Sequence, residues 1–167
     1  MPSPYGIGIF YPEKGAFMEN VLISACLLGV SCRYDGLSKP LDERILLDLK
    51  SRYHLIPICP EIFGGLPTPR IPAEIRNDRR VFRHDGAEVT AEYHKGAQEA
   101  LRLAKLFDCK TAILKERSPS CGSGEIYDGT FTGTKIFADG ITAELLKANG
   151  IRILGESRLC DAENKNA

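Results

Sequence analysis

The sequence predicts a single α/β domain with a mainly parallel, Rossmann-like sheet and flanking helices, in the order βαβαβαβ. Two observations carry this. Four short runs, Asn20–Ala25, His54–Ile58, Thr111–Leu114 and Ile151–Leu154, are apolar almost throughout and too brief for helices. That is the pattern of strands buried on both faces of a parallel sheet. Between them lie segments whose apolar residues recur at helical spacing, and strands alternating with helices close into a parallel sheet through right-handed crossovers.

Each element has its own signal. Leu41, Ile45, Leu46 and Leu49 mark the first helix, with Asp42 as its N-cap. Tyr93, Ala97, Ala100, Leu101, Ala104 and Phe107 mark the longest, with Thr90 as the expected cap. The third covers Thr142–Asn149, and Gly150 stands where a terminating glycine belongs. Pro57 cannot donate to a ladder, which places its strand at a sheet edge or the proline near a strand end. Two connections, Cys59–Val89 and Glu116–Phe137, are long and dense in Gly, Pro and charge, as functional loops tend to be. Each is expected to carry a hairpin, turning at Asp85–Gly86 and at Asp128–Gly129.

The 167 residues and 43% apolar content fit one packed core, assigned to residues 18–155. Residues 1–17 are set apart as an extension, either an upstream start ahead of Met18 or an arm packed on the domain. Residues 156–167 form a polar tail. No basic, apolar leader opens the chain, and no apolar run approaches the ~18 residues of a membrane span. A cytoplasmic location without membrane contact is therefore expected. Lys and Arg number 22 and Asp and Glu 22, so the basic excess usual in nucleic-acid binders is missing. The arginines at 76, 79, 80 and 83 are read as a solvated face. His54, His84 and His94 share no ligand spacing. No pattern fixes an oligomeric state.

Six cysteines in a chain without an export signal point to metal binding or chemistry rather than disulfides. Cys26 follows the first strand, Cys59 the second, and Cys121 lies in the loop after the third. Parallel strands deliver all three loops to the carboxyl edge, where open α/β sheets bind ligands. Structural zinc sites draw on closely spaced cysteine pairs, which are missing here. Thiolates arriving from three separate loops suit an iron–sulfur cluster, and three ligands on a four-iron cluster leave one iron open. Cys32 is left as a fourth ligand, a catalytic thiol or a bystander. Cys109 is assigned to core packing, and Cys160 is incidental.

Three long motifs, SACLLGVSCRYDG at 24–36, CPEIFGGLPTPR at 59–70 and KERSPSCG at 115–122, occur in order, followed by GTFTG at 129–133. With these the chain resembles the thiouracil desulfurase family of small bacterial iron–sulfur proteins. The resemblance implies a [4Fe-4S] cluster on Cys26, Cys59 and Cys121, and removal of sulfur from a thiolated uracil without net redox change. It also implies catalytic or substrate-facing roles for Glu61 and Ser118. A small thiolated nucleobase is the expected partner. The thiocarbonyl sulfur would bind the open iron, and Glu61 would take a proton from the attacking water. Ser118 either orients substrate or caps the Pro119 turn. Asp35 shapes an Asp-Gly turn or supports the site, and Arg33 and Arg70 either face solvent or balance its charge. The rivals are a cluster-free persulfide sulfur transferase and a non-catalytic iron–sulfur sensor module.

Overall fold

A computed structural model describes residues 18–159. The expectations for residues 1–17, for Cys160 and for most of the tail lie outside the described residues.

Four parallel strands form the central sheet: β1 (Glu19–Ser24), β2 (Tyr53–Ile58), β5 (Thr111–Leu114) and β8 (Arg152–Gly155), in the order β2-β1-β5-β8. All four predicted strands are present, each within a residue or so of its expected bounds. Pro57 lies on β2, an edge strand, where a missing N–H costs least. From the central β1 the chain runs outward to β2 and then crosses to β5 on the other side. A crevice opens at such a reversal, outside the carboxyl ends of the strands.

Side chains alternate across β1. Val21 and Ile23, with Ile113 of β5, pack on Ile45 and Leu49 of helix α1 (Glu43–Arg52). Leu22 packs on the opposite face against Ala100, Leu101 and Ala104 of α3 (Thr90–Leu106) and Ala143 and Leu146 of α4 (Ile141–Ala148). The result is three layers with the core on both faces of the sheet. Asp42 caps α1 as expected, its carboxylate accepting from Arg44 N at 2.9 Å. Gly150, at φ 78°, closes α4 in the left-handed conformation. No helix among the described residues is long and apolar enough to cross a membrane.

Two local expectations change and one holds. Thr90 is the first residue of α3 rather than its cap; its hydroxyl instead accepts from Val81 N at 2.9 Å. The turn at Asp85–Gly86 forms, with Arg83 N donating to Ala87 O at 2.8 Å. Its return arm bridges Phe82 to Glu88, and Val89 N donates to Val81 O at 2.9 Å, while the other edge of β4 (Val81–Arg83) pairs with β3 (Ala73–Ile75). The second hairpin pairs β6 (Ile126–Tyr127) with β7 (Lys135–Ile136), so residues 128–134 form a longer loop rather than a tight turn at Asp128–Gly129. That loop is held from outside the hairpin, by the Glu74 carboxylate on β3.

The short helix α2 (Pro60–Phe63) carries the residues after Cys59 and lies against α3 backbone to backbone. A Cβ at Gly96 would overlap the Pro60 carbonyl oxygen, and one at Gly64 would overlap the Glu92 carbonyl oxygen. Two glycines therefore set how closely the CPEIFGG loop approaches α3. In an open helix, Gly→Ala stabilises by about 1 kcal/mol. Here Gly96→Ala should do the reverse, costing about 1–3 kcal/mol through overpacking, with a matching fall in the urea midpoint at unchanged slope. An unchanged or higher midpoint would show that α2 is free to move away.

Candidate functional site

A cavity of about 680 Å³ opens at the carboxyl edge of the sheet, and Cys26, Cys32, Cys59 and Cys121 all line it. Each thiol is placed by a separate local device. Cys26 sits in the 3₁₀ turn Ala25–Leu28 that directly follows β1. Cys59 follows β2 at the N-cap position of α2, and its Sγ lies 3.8 Å from the Cys32 carbonyl oxygen. Cys121 belongs to the SPSCG loop, whose carbonyls cap α4: Ile141 N donates to Pro119 O at 3.0 Å and Thr142 N to Ser120 O at 2.9 Å. The Ser120 and Thr142 hydroxyls pair at 3.1 Å beneath it, both buried.

Burial dominates the electrostatics of the thiols. It pushes Cys26 up to about 11, with Lys115 pulling in the opposite direction. It pushes Cys32 up to about 12, reinforced by its neighbours Cys59 and Cys26. Cys121 is driven far above the usual thiol range, again chiefly by burial, with the nearby Ser24 hydroxyl opposing this. That hydroxyl also accepts from Lys115 N at 2.9 Å, so the end of β1 and the start of the third motif brace Cys121 together.

Glu61, only 9% exposed, lines the same cavity. Its Oε2 accepts from Arg70 Nε at 2.6 Å and Nη2 at 2.5 Å, forming a buried ion pair. Ser118 Oγ donates to Oε1 at 3.4 Å. The same Ser118 oxygen accepts from Ser120 N and Cys121 N, each at 3.1 Å, so Ser118 both caps the SPSC turn and faces the carboxylate. Arg70 also donates to the Cys32 carbonyl at 3.0 Å. Charge balance, rather than solvation, is its observed role.

Asp35 stands apart. It accepts from Leu37 N at 3.0 Å and pairs with Arg33 at 3.0 Å, shaping the predicted turn, and it does not line the cavity, whereas Arg33 does. Cys109 packs in the core with Leu22 and Ala112. Three of the four arginines at 76–83 pair with carboxylates of the chain itself, Arg79 with Glu144, Arg80 with Glu88 and Arg83 with Asp85, while Arg76 covers the Phe82 ring at 3.7 Å.

Sequence reasoning missed four residues. Tyr93 is 2% exposed and lines the cavity beside Glu61; burial first, and the adjacent Glu61 charge next, hold its own ionisation well above the usual range. Its helical spacing marks it as apolar core, and only a buried phenol's need for a partner hints at more. Ser24, Lys115 and Cys32 lie inside the quoted motifs, but only Cys32 was weighed. His84 lines the cavity from the β4 side without any sequence signal.

The thiols fit an iron–sulfur cluster by the chemistry of their donor set: soft sulfur ligands from separate loops around one cavity. Among the described residues no three His, Cys, Asp or Glu side chains are grouped to hold a single metal ion. A cluster takes one cysteine per iron and so calls for thiols set apart.

Replacing Arg70 by Met would leave Glu61 charged and buried without its partner. Such a change should cost about 3–5 kcal/mol, read by urea unfolding of the metal-free chain. Adding Glu61→Gln should recover a large part of it. A single variant as stable as the parent would mean that water reaches the carboxylate.

The 2-thiouracil desulfurase family model matches residues 21–158. An uncharacterised protein of Bacillus subtilis (strain 168), YbbK, is 43% identical over 152 residues, covering 84% of this chain and 98% of that protein. Among solved structures, a [4Fe-4S]-dependent thiouracil desulfidase, TudS, matches with a TM-score of 0.81 at 44% identity, over 86% of this chain and 94% of its own. Matches of this length, spanning the three cysteine motifs and the sheet that presents them, mean that the chain belongs to the 2-thiouracil desulfurase family.

Proposed function

We propose that this protein hydrolyses the C=S bond of a thiolated pyrimidine such as 2-thiouracil, giving uracil and sulfide, with a [4Fe-4S] cluster held by Cys26, Cys59 and Cys121 and one iron open. The observation that carries this reading is the lining of one cavity by four thiols together with the fixed carboxylate of Glu61. Family membership and the [4Fe-4S]-dependent structural relative support it.

When bound, the cluster supplies a Lewis-acidic iron that draws electron density from the thiocarbonyl sulfur. The chain's own residues do the rest. Arg70 holds Glu61 Oε2, leaving Oε1 for a proton from water. The Ser118 hydroxyl, anchored by two backbone N–H groups beside Oε1, orients the water or the ring. The water oxygen forms the new bond to the ring carbon and the C–S bond breaks. The sulfur leaves as hydrosulfide or hydrogen sulfide, with the water protons shared between Glu61 and the departing sulfur. No electron changes hands, so no redox partner is required.

The cluster-free persulfide alternative is disfavoured by the thiols themselves. A persulfide carrier attacks as thiolate. Burial raises the pKa of both thiols that would carry it, Cys32 to about 12 and Cys121 well above the usual thiol range, which opposes thiolate formation in the metal-free chain.

Anaerobically purified protein should contain iron and acid-labile sulfide and should release uracil and sulfide in equal amounts from 2-thiouracil. Fully loaded protein that forms no uracil would overturn the reading in favour of a sensor module. Cys59→Ala should lose the iron while Cys109→Ala keeps it; equal loss in both would sink the ligand assignment. Glu61→Gln should keep its iron and lose roughly 10²–10⁴-fold in turnover, the contribution of a positioned general base. Iron-replete Glu61→Gln turning over at the parent rate would remove Glu61 from the chemistry.

A further inference from the structure

The GTFTG motif is not used by any step above, yet it holds an unusual backbone. Phe131 has φ 58°, the left-handed region that side chains with a Cβ avoid. It is kept there by Glu74, whose Oε2 accepts from both Gly129 N and Phe131 N at 3.0 Å. Gly129 brings the loop onto β3, where an added Cβ would stand 2.8 Å from the Ile75 carbonyl oxygen. Such over-determined local strain clusters at ligand clamps and active sites.

The ring is not needed for packing. Phe131 belongs to none of the three core clusters among the described residues, and it lines the same cavity as the thiols. His84, from the neighbouring ribbon, meets it edge to face at 5.0 Å between centroids and 83° between planes. A perpendicular pair leaves at least one face of each ring uncovered by the other. Tyr127 lines the cavity from the start of the same loop. Thiols and carboxylate therefore share a cavity with an aromatic wall assembled from other elements.

We propose that Phe131, braced by His84 and aimed by Glu74, is the surface on which the planar ring of the substrate stacks, so that GTFTG recognises the base while the cysteine loops carry the chemistry. This rests on the desulfuration reading for the identity of the ring. Offset or edge contacts with a flat heteroaromatic ring are what such a wall can offer, and they are tolerant of ring substitution. Phe131 is then a substrate-binding residue that contributes to affinity for the flat ring and not to bond cleavage.

The test compares the anaerobically loaded parent with Phe131→Ala, Phe131→Leu and Phe131→Tyr, after iron content and circular dichroism show equal loading and folding. Binding of 2-thiouracil and of uracil is measured by calorimetry, and KM and kcat are measured separately. Loss of a stacked base should weaken binding and raise KM by roughly 10–100-fold, with kcat changed by less than about threefold. Tyr should restore binding, and Leu, which keeps apolar bulk but has no π-face, should not. Phe131→Leu binding as tightly as the parent would overturn the stacking role, as would an unchanged KM in Phe131→Ala; in either case desulfuration would stand. A loaded parent that binds neither 2-thiouracil nor uracil would overturn both readings.

Discussion

The buried pair of Arg70 and Glu61 is the contact on which the geometry of the site depends. Arg70 reaches Glu61 with two nitrogens and the Cys32 carbonyl with one of them, while Ser118 bonds to the same carboxylate. Two opposite charges thus tie the loops of all three cysteine motifs together. A buried ion pair returns little net stability, because desolvation offsets most of its attraction. Its value lies in position: it immobilises the carboxylate, and among the described residues no buried side-chain nitrogen or oxygen is left unpaired. The driving force for folding comes from elsewhere, chiefly the apolar layers on either face of the sheet.

The sheet dictates where that pair can form. Because β1, β2 and β5 run parallel, the residues that follow them emerge on one edge, and the reversal from β2 to β5 on either side of β1 opens a crevice there. Loops this rich in Gly and Pro would be loose on their own. Each is pinned by a different backbone contact: α2 by close approach to α3 at Gly64 and Gly96, and the SPSC turn by its carbonyls on the first N–H groups of α4. The helix-end groups that usually take a side-chain cap are here satisfied by the functional loop itself. Rigid support of this kind holds catalytic side chains within the narrow tolerance that chemistry demands.

Much of this is legible in the sequence, and the pattern of what is not has a physical cause. Apolar runs and helical spacing report the local backbone and which face is buried, so the strands, the three long helices and the meeting of the cysteines could be read directly. Asp35 carries two readings, turn former or support for the site; its turn is there, and it does not line the cavity. Tyr93 could not be assigned more than a core role, because its place beside Glu61 depends on where α2 packs, some thirty residues away. Thr90 was misread as a cap because its hydroxyl had a competing acceptor role toward Val81, on a strand that propensity alone does not pair with it. The Asp128–Gly129 turn was drawn too tight for the same reason: Glu74, distant in sequence, reaches in and holds the loop open.

The two oxygens of Glu61 resolve an apparent conflict in the proposed chemistry. A base must accept a proton, yet a carboxylate locked to a guanidinium has its negative charge largely spoken for. Here the lock falls on one atom. Oε2 takes both Arg70 nitrogens, at 2.6 and 2.5 Å, whereas Oε1 has the long 3.4 Å contact to Ser118. The tight side orients the group, and the loose side retains room and lone pairs for a water or a substrate proton. Arg70 also keeps a positive charge at the site after Glu61 is protonated, where it can steady the developing sulfide. On this reading the ion pair does not compete with the base function; it fixes which oxygen performs it.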